Sequence, residues 1–213
     1  MQDTVPDSAF ARGLGRLADL VLAGLLWTVA SLPLVTLPAA TTALFAVADG
    51  WVRGESPPVL ATFRDAFRRR PVRGLAVGGA LAAGAAVVAV DVAFAAWAEG
   101  APLRAAVLVT ATLPALATAL AAAFAFPLLA LTDDGPVALL RNAVLLAVGN
   151  PLPTVAAWAT VAAGAALAFV APPVTPLLGS LAALTVAWLA RRALSRVPTP
   201  TTRPSPVPRP TTD

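Results

Sequence analysis

The chain has no cysteine, no histidine, no tyrosine and no lysine among its 213 residues. Without cysteine there is no disulfide framework, no thiolate nucleophile and no reading of the redox compartment. Without histidine the commonest metal ligand and the usual general base are both missing, so a Ser-His-Asp hydrolase and a histidine-based zinc site are excluded. Charge is scarce too. Asp, Glu, Lys and Arg make up 12% of the chain, about half the share of roughly 25% found in soluble domains. Every cation is arginine and alanine dominates the apolar runs, a composition that GC-rich coding produces.

What is present is apolar. Hydrophobic residues are 58% of the chain and the mean hydropathy is +0.80. A single soluble core cannot hide that much apolar surface, and several runs reach the roughly 20 residues a helix needs to cross a bilayer. A formal net charge of +4 and a pI near 11.4 would suit a nucleic-acid binder. The arginines instead flank apolar segments, where positive charge sets membrane orientation, so no nucleic-acid partner is expected. The first apolar run is too long for the core of a cleaved signal, and Asp3, Asp7 and Asp19 make its surroundings too acidic for one. It is expected to stay as a membrane helix.

The fold class is therefore all-α, a polytopic transmembrane helix bundle of five or six spans. The first stretch, from about Leu14 to Ala48, exceeds one span. Pro33 disfavours helix at Leu32, while Thr36 with Pro38 forms a candidate cap and first turn. Two helices joined by a tight hairpin make six spans; one kinked helix makes five. The six-span reading places helices at about 9–31, 37–53, 75–97, 105–131, 151–170 and 174–190, within a bundle of residues 1–196. A short helix over 137–149 is expected at the cytoplasmic interface, with Asn150 capping the helix that starts at Pro151. Residues 197–213 are rich in Pro and Thr and are expected to be a disordered cytoplasmic tail of polyproline character, with no two prolines three apart. Six spans put every arginine except Arg104 on the cytoplasmic side, together with both termini. Five spans send Arg12 and Arg16 outside as well, so the charge rule favours six.

Between the second and third spans, Ser56-Pro57 can start a basic amphipathic helix. Leu60, Phe63 and Phe67 share one face, with Arg64, Arg68, Arg69 and Arg70 around it. Such a helix lies along an anionic membrane surface, which makes Phe63, Arg64, Phe67, Arg68, Arg69 and Arg70 the expected membrane-surface residues. The same residues also fit an ordinary cytoplasmic loop that obeys the charge rule.

Few polar groups fall inside spans. Asp91 is the one acidic residue read as lying well within a helix, and an intramembrane carboxyl is a site candidate by default. It lies six residues from Trp97, about 9 Å along a helix, so an outer-interface position also accounts for it. Thr41 and Thr42 can bond to their own helix backbone. Asn142 can bond across helices or cap one. Asp133-Asp134-Gly135 has the paired aspartates of a metal-dependent lipid transferase without the rest of its constellation. No metal site, cofactor or catalytic residue is expected. Pro33-Leu34-Val35-Thr36 and Pro172-Pro173-Val174-Thr175 each open a helix ending near an arginine, an echo of the internal symmetry common in transporters and also within reach of chance.

The stretch Leu26-Trp27 through Ser31-Leu32-Pro33-Leu34-Val35-Thr36-Leu37-Pro38-Ala39-Ala40-Thr41-Thr42-Ala43-Leu44 resembles the YesL family of bacterial membrane proteins, with Leu37 where that family often has glycine. The likeness continues at Val52-Arg53-Gly54-Glu55, Phe63-Arg64-Asp65-Ala66-Phe67, Phe126-Pro127-Leu128-Leu129-Ala130 and Leu140-Arg141-Asn142-Ala143. The family's members are largely uncharacterised, and their genes often neighbour those for carbohydrate uptake. The resemblance implies a non-enzymatic accessory or regulatory component in the cell membrane, with the lipid bilayer and a transporter permease or membrane sensor as partners. The alternative is a small transporter or channel acting alone.

Overall fold

The computed structural model describes residues 9–69 and 71–196, which form helices and short connections with no strand among them. The expected tail at 197–213 and Arg70 lie outside these residues. Eight α-helices follow in order: α1 Ala9–Ala30, α2 Leu37–Val52, α3 Val59–Arg69, α4 Pro71–Trp97, α5 Ala101–Leu131, α6 Pro136–Gly149, α7 Pro151–Val170 and α8 Thr175–Leu194. Six of them, α1, α2 with its leading turn, α4, α5, α7 and α8, are long and apolar enough to cross a membrane. The first apolar stretch is thus two helices and not one kinked helix. At 14 residues, α6 spans only about 21 Å, short of the roughly 30 Å hydrocarbon core.

The chain runs up and down, so the arginines flanking α2, α4 and α8 gather at one end, here the basic end, while the turns at Leu34–Thr36 and Pro172–Val174 lie at the other. Two apolar clusters fill the interior. One joins α1, α2, α3, α7 and α8 around Ala23, Leu44, Phe45, Val47, Phe63 and Val186. The second joins α4, α5, α6 and the end of α8 around Val77, Phe124, Leu128, Leu129, Leu139 and Ala190. Helix α8 serves both and holds the bundle together.

The hairpins α1–α2 and α7–α8 are built alike. Each turns through a three-residue 3-10 segment, Leu34–Thr36 or Pro172–Val174. The residue before each second helix has nearly the same backbone, φ −88°, ψ −8° at Thr36 and φ −90°, ψ −3° at Val174. Pro38 and Pro176 occupy the second helical position, where the missing N–H costs no hydrogen bond. Each proline meets a glycine on a neighbouring helix. A Cβ on Gly78 of α4 would lie 2.3 Å from Pro38 Cγ, and one on Gly24 of α1 only 1.8 Å from the Pro176 carbonyl oxygen. Small residues at such crossings let helix backbones approach closely, which is how helices associate in lipid.

Thr36 does not cap α2 with its side chain. Its hydroxyl donates to the carbonyl oxygens of Pro33 at 2.7 Å and Ala30 at 2.5 Å, closing the turn instead. Asn150 likewise bonds backwards, from Nδ2 to Leu146 O at 3.1 Å, and so completes the end of α6 rather than the start of α7. In both places the preceding helix leaves bare carbonyls within reach, while the proline that opens the next helix has already removed one donor needing a cap.

Candidate functional site

At the basic end the last turn of α2 carries Asp49, which is only 6% exposed. The helix stops one turn later at Arg53, and Gly54 takes φ 78°, the left-handed conformation that glycine adopts without strain. The Gly54 N–H bonds to Trp51 O at 3.0 Å and the Glu55 N–H to Gly50 O at 3.0 Å, the paired bonds of a Schellman ending. This reversal swings Glu55 back onto its neighbour. Arg53 then donates from Nε and Nη2 to the two Glu55 carboxylate oxygens at 2.7 and 2.8 Å, and from Nη1 to Asp49 Oδ2 at 2.8 Å. From α8, Arg191 reaches the same carboxylate with two bonds, Nε to Oδ1 and Nη2 to Oδ2, the second at 2.8 Å. One aspartate thus joins α2 to α8 through a bidentate arginine, the strongest form of ionic hydrogen bond.

Arg53 and Arg191 are equivalent in the two hairpins, each fifteen residues beyond its proline (Pro38 to Arg53, Pro176 to Arg191). The bond to Glu55 raises the Arg53 pKa, followed by the charge of Asp49, against the opposing effect of burial. The same bond holds Glu55 below its ordinary value.

A second polar cluster ties α4 to the α5–α6 connection. Arg73 faces Asp133 Oδ1 at 3.5 Å and donates to the backbone carbonyls of Asp134 and, at 3.5 Å, Thr132. Asn142 Nδ2 donates to Asp134 Oδ2 at 3.2 Å. The paired aspartates therefore engage an arginine and an amide. Among the described residues no three Asp, Glu, His or Cys side chains converge as a metal site would need. Asn142 is exposed at this end of the bundle, and its described bond is the one to Asp134 in the α5–α6 connection.

Helix α3 lies against the bundle. Phe63 is 5% exposed and sits within the first apolar cluster, with Phe67 and Ala66 packed on it, and the Phe63 and Phe67 rings stack 6.3 Å apart. The two phenylalanines expected at the membrane surface thus face protein, because α1 and α2 leave an apolar groove there. Leu60, placed on the same face by its spacing, is exposed, and Val59 takes the buried position. Arg64, Arg68 and Arg69 remain on the outward side.

Thr41 accepts a hydrogen bond from Trp27 Nε1 at 3.2 Å, linking α2 to α1. Thr42 is buried and donates to Pro38 O, four residues back in its own helix, at 2.8 Å. Asp91 is half-buried, in register with Gly84, Val88 and Ala95 on the α4 face toward α5, and no hydrogen bond or ion pair reaches it among the described residues. Arg104 is engaged elsewhere, capping the end of α4 at Ala95 O (2.9 Å) and Ala96 O (3.4 Å). Asp49 is the residue that sequence reading missed. The available signal was its i, i+4 spacing to Arg53 inside an apolar helix.

A half-open cavity of about 370 Å³ lies between α5 and α7, floored by α2 and α8. Its wall is almost wholly apolar, with Phe45, Phe126 and Val186 among the larger side chains and Gly164, Ala165 and Ala168 of α7 leaving the space open.

Residues 20–92 match a family described as "Protein of unknown function, DUF624". That segment covers α2, α3, the second half of α1 and most of α4, and so contains Asp49, Arg53 and Glu55. No curated protein and no solved structure matches the chain.

Proposed function

We propose that the chain is a YesL-like membrane protein that works without catalysis, as an accessory or regulatory component of an uptake system. The observation that carries this reading is where its polar groups go. Asp49, Arg53, Arg191, Arg73 and Asp133 are engaged in ion pairs at one end, while the threonines within α2 bond to their own helix or to Trp27. The cavity between α5 and α7 is apolar and offers a sugar or an ion no polar path. A protein built this way acts through its surfaces. The resemblance of residues 26–44 and 52–67 to the YesL family points to carbohydrate uptake as the system served, with a permease or sensor as partner. The basic end faces the cytoplasm in this reading, following the bias of arginine to that side. Trp188 beneath Arg192, 5.2 Å from ring centre to guanidinium, suits that interface.

In-cell crosslinking from native membranes through a tag on the C-terminal tail tests this. Recovery of a permease, binding protein or sensor supports the accessory role and names its system; recovery of the chain alone at good yield removes that support. The second reading, a small transporter or channel acting alone, rests on Asp91, the half-buried carboxyl without a described partner. It requires Asp91→Asn to abolish a solute flux in reconstituted vesicles, and an unchanged flux dismisses it.

A further inference from the structure

The cavity between α5 and α7 stands at the junction of the two like hairpins. Thr41, Leu44 and Phe45 of α2 line it, and so do Gly179, Ala182 and Ala183 of α8, which hold the same positions relative to Pro38 and Pro176. The two sides of that junction are filled differently. On one side Trp27 of α1 lays its ring against Gly179, where a Cβ would come within 3.1 Å of it. On the other side α7 offers Gly164, Ala165 and Ala168, no Cβ on Gly164 would touch anything within 4 Å, and α7 makes almost no contact with α2. The space stays open because small residues stand where a large one would close it.

We propose that this cavity is a lipid site that takes one acyl chain of a membrane phospholipid, entering sideways between α5 and α7. Its polarity matches an uncharged hydrocarbon and little else. No charged side chain lines it. Each polar side chain in the lining already has a partner: Trp27 Nε1 on Thr41, Trp158 Nε1 on Ala119 O at 3.2 Å, and Thr175 on Pro172 O at 2.7 Å. Water needs two to four polar partners to occupy such a space, and an apolar cavity without them stays dry or takes an apolar guest. The volume falls in the range of roughly 300–1,000 Å³ typical of small-ligand sites. The helices around it cross the bilayer on length and composition, so phospholipid chains are the apolar guest at hand. The site is independent of any uptake partner and holds whether or not one exists.

The test uses the whole purified chain in phosphatidylethanolamine–phosphatidylglycerol vesicles containing phosphatidylglycerol with a diazirine in mid-chain. After photolysis, the lining residues Ala168, Gly179, Ala182 and Ala183 are expected to carry lipid adducts, alongside the outward-facing Val90 and Val109 as controls. Ala165→Phe fills the cavity, and adducts at Gly179, Ala182 and Ala183 should then fall about tenfold, equivalent to about 1.4 kcal/mol, with Val90 and Val109 unchanged. Ala182→Phe fills it from the other wall and should do the same at Ala168. Adducts at the controls alone in the unaltered chain overturn the proposal, as does cavity labelling that persists in both filled variants. A photoreactive amino acid at Ala183, which lines the cavity and is otherwise buried, gives the complementary result: a lipid adduct supports the site, and a protein–protein adduct assigns the space to another helix and overturns it.

Discussion

The hairpins α1–α2 and α7–α8 share a turn, a proline at the same helical position and an arginine fifteen residues beyond it, yet they sit in the bundle differently. Helix α2 is wrapped by α1, α3, α4, α5 and α8 and buries ten of its sixteen residues, from Ala39 to Gly50. Helix α7 buries three of its twenty, Pro153, Thr154 and Ala157. The difference lies in the residues that face inward. The α1–α2 hairpin brings Trp27, Phe45 and the Asp49 carboxylate to the junction; the α7–α8 hairpin brings Gly164, Ala165, Ala168 and Gly179. Like backbones thus give one closed flank and one open flank, and only the open flank has room for a guest.

The contrast breaks most sharply at the glycines. Gly24→Leu drives a side chain into the Pro176 backbone, and thermal unfolding of the purified chain in detergent should show a loss of about 3 kcal/mol, at the upper end of overpacking costs. Gly164→Ala on the open flank meets nothing within 4 Å and should stay within about 0.5 kcal/mol. Equal effects would mean the two flanks do not differ as described.

Next in size is the shared aspartate. Asp49→Ala leaves Arg191 and Arg53 facing a buried gap and should cost about 3 kcal/mol, the low end for breaking a buried pair because Arg191 remains one-third exposed. Arg53→Ala removes a side chain that is 45% exposed and should cost less than about 1 kcal/mol. A double-mutant cycle on Asp49 and Arg191 then isolates the bond between the hairpins. A coupling near zero would reduce Asp49 to a helix-end residue serving α2 alone.

Thr41→Val should cost about 0.6 kcal/mol, the average for an interhelical hydrogen bond in membranes. It frees the Trp27 indole, and a shift in tryptophan emission should accompany it.

The smallest expected effect is that of Glu55. Its pKa lies below the ordinary 4.5 because Arg53 is bonded to it. A depressed carboxyl contributes stability that is fully present above its unfolded value and is lost as the pH falls through the folded one. Glu55→Gln should therefore lower the unfolding temperature slightly at neutral pH and make no difference in acid well below 4.5. A difference that grows on acidification would reverse the sign and reject the pairing.

Helices of spanning length were legible because apolar length is a strong signal, with five or six both open until the turn at Pro33 resolved as two helices, and α7 begins and ends where hydropathy and Asn150-Pro151 place it. Helix α4 starts at Pro71, four residues before the expected Leu75, and α8 runs on to Leu194 past the expected Ala190, since arginines continue a helix as readily as they flank one. The face of α3 was read one residue out, Leu60 for Val59, because on so short a helix the spacing alone admits both. Asp49 escaped notice for a different reason. A carboxyl near the end of a span reads as an interfacial charge until its partner is known, and that partner is 142 residues away. Sequence periodicity reports which face is apolar and is silent on which distant helix meets it. The hairpin likeness showed as four similar residues in the sequence; its weight comes from equivalences, such as Arg53 with Arg191, that only the fold lines up.

The distance between Asp49 and Arg191 also sets an order of assembly. A ribosome adds about 5–20 residues each second, so Asp49 waits on the order of ten seconds for Arg191 to be made. Gly24 waits as long for Pro176, and the Leu20 carbonyl for Ser180, its hydrogen-bond partner across α1 and α8. Helix α1 thus finds its seat only once α8 has been made. Until then Arg53 is, among the described residues, the one cation paired with the Asp49 carboxylate, and α1 has no α8 to pack against. A chain cut short before α8 would leave the bundle open at its centre, with α1 still unplaced.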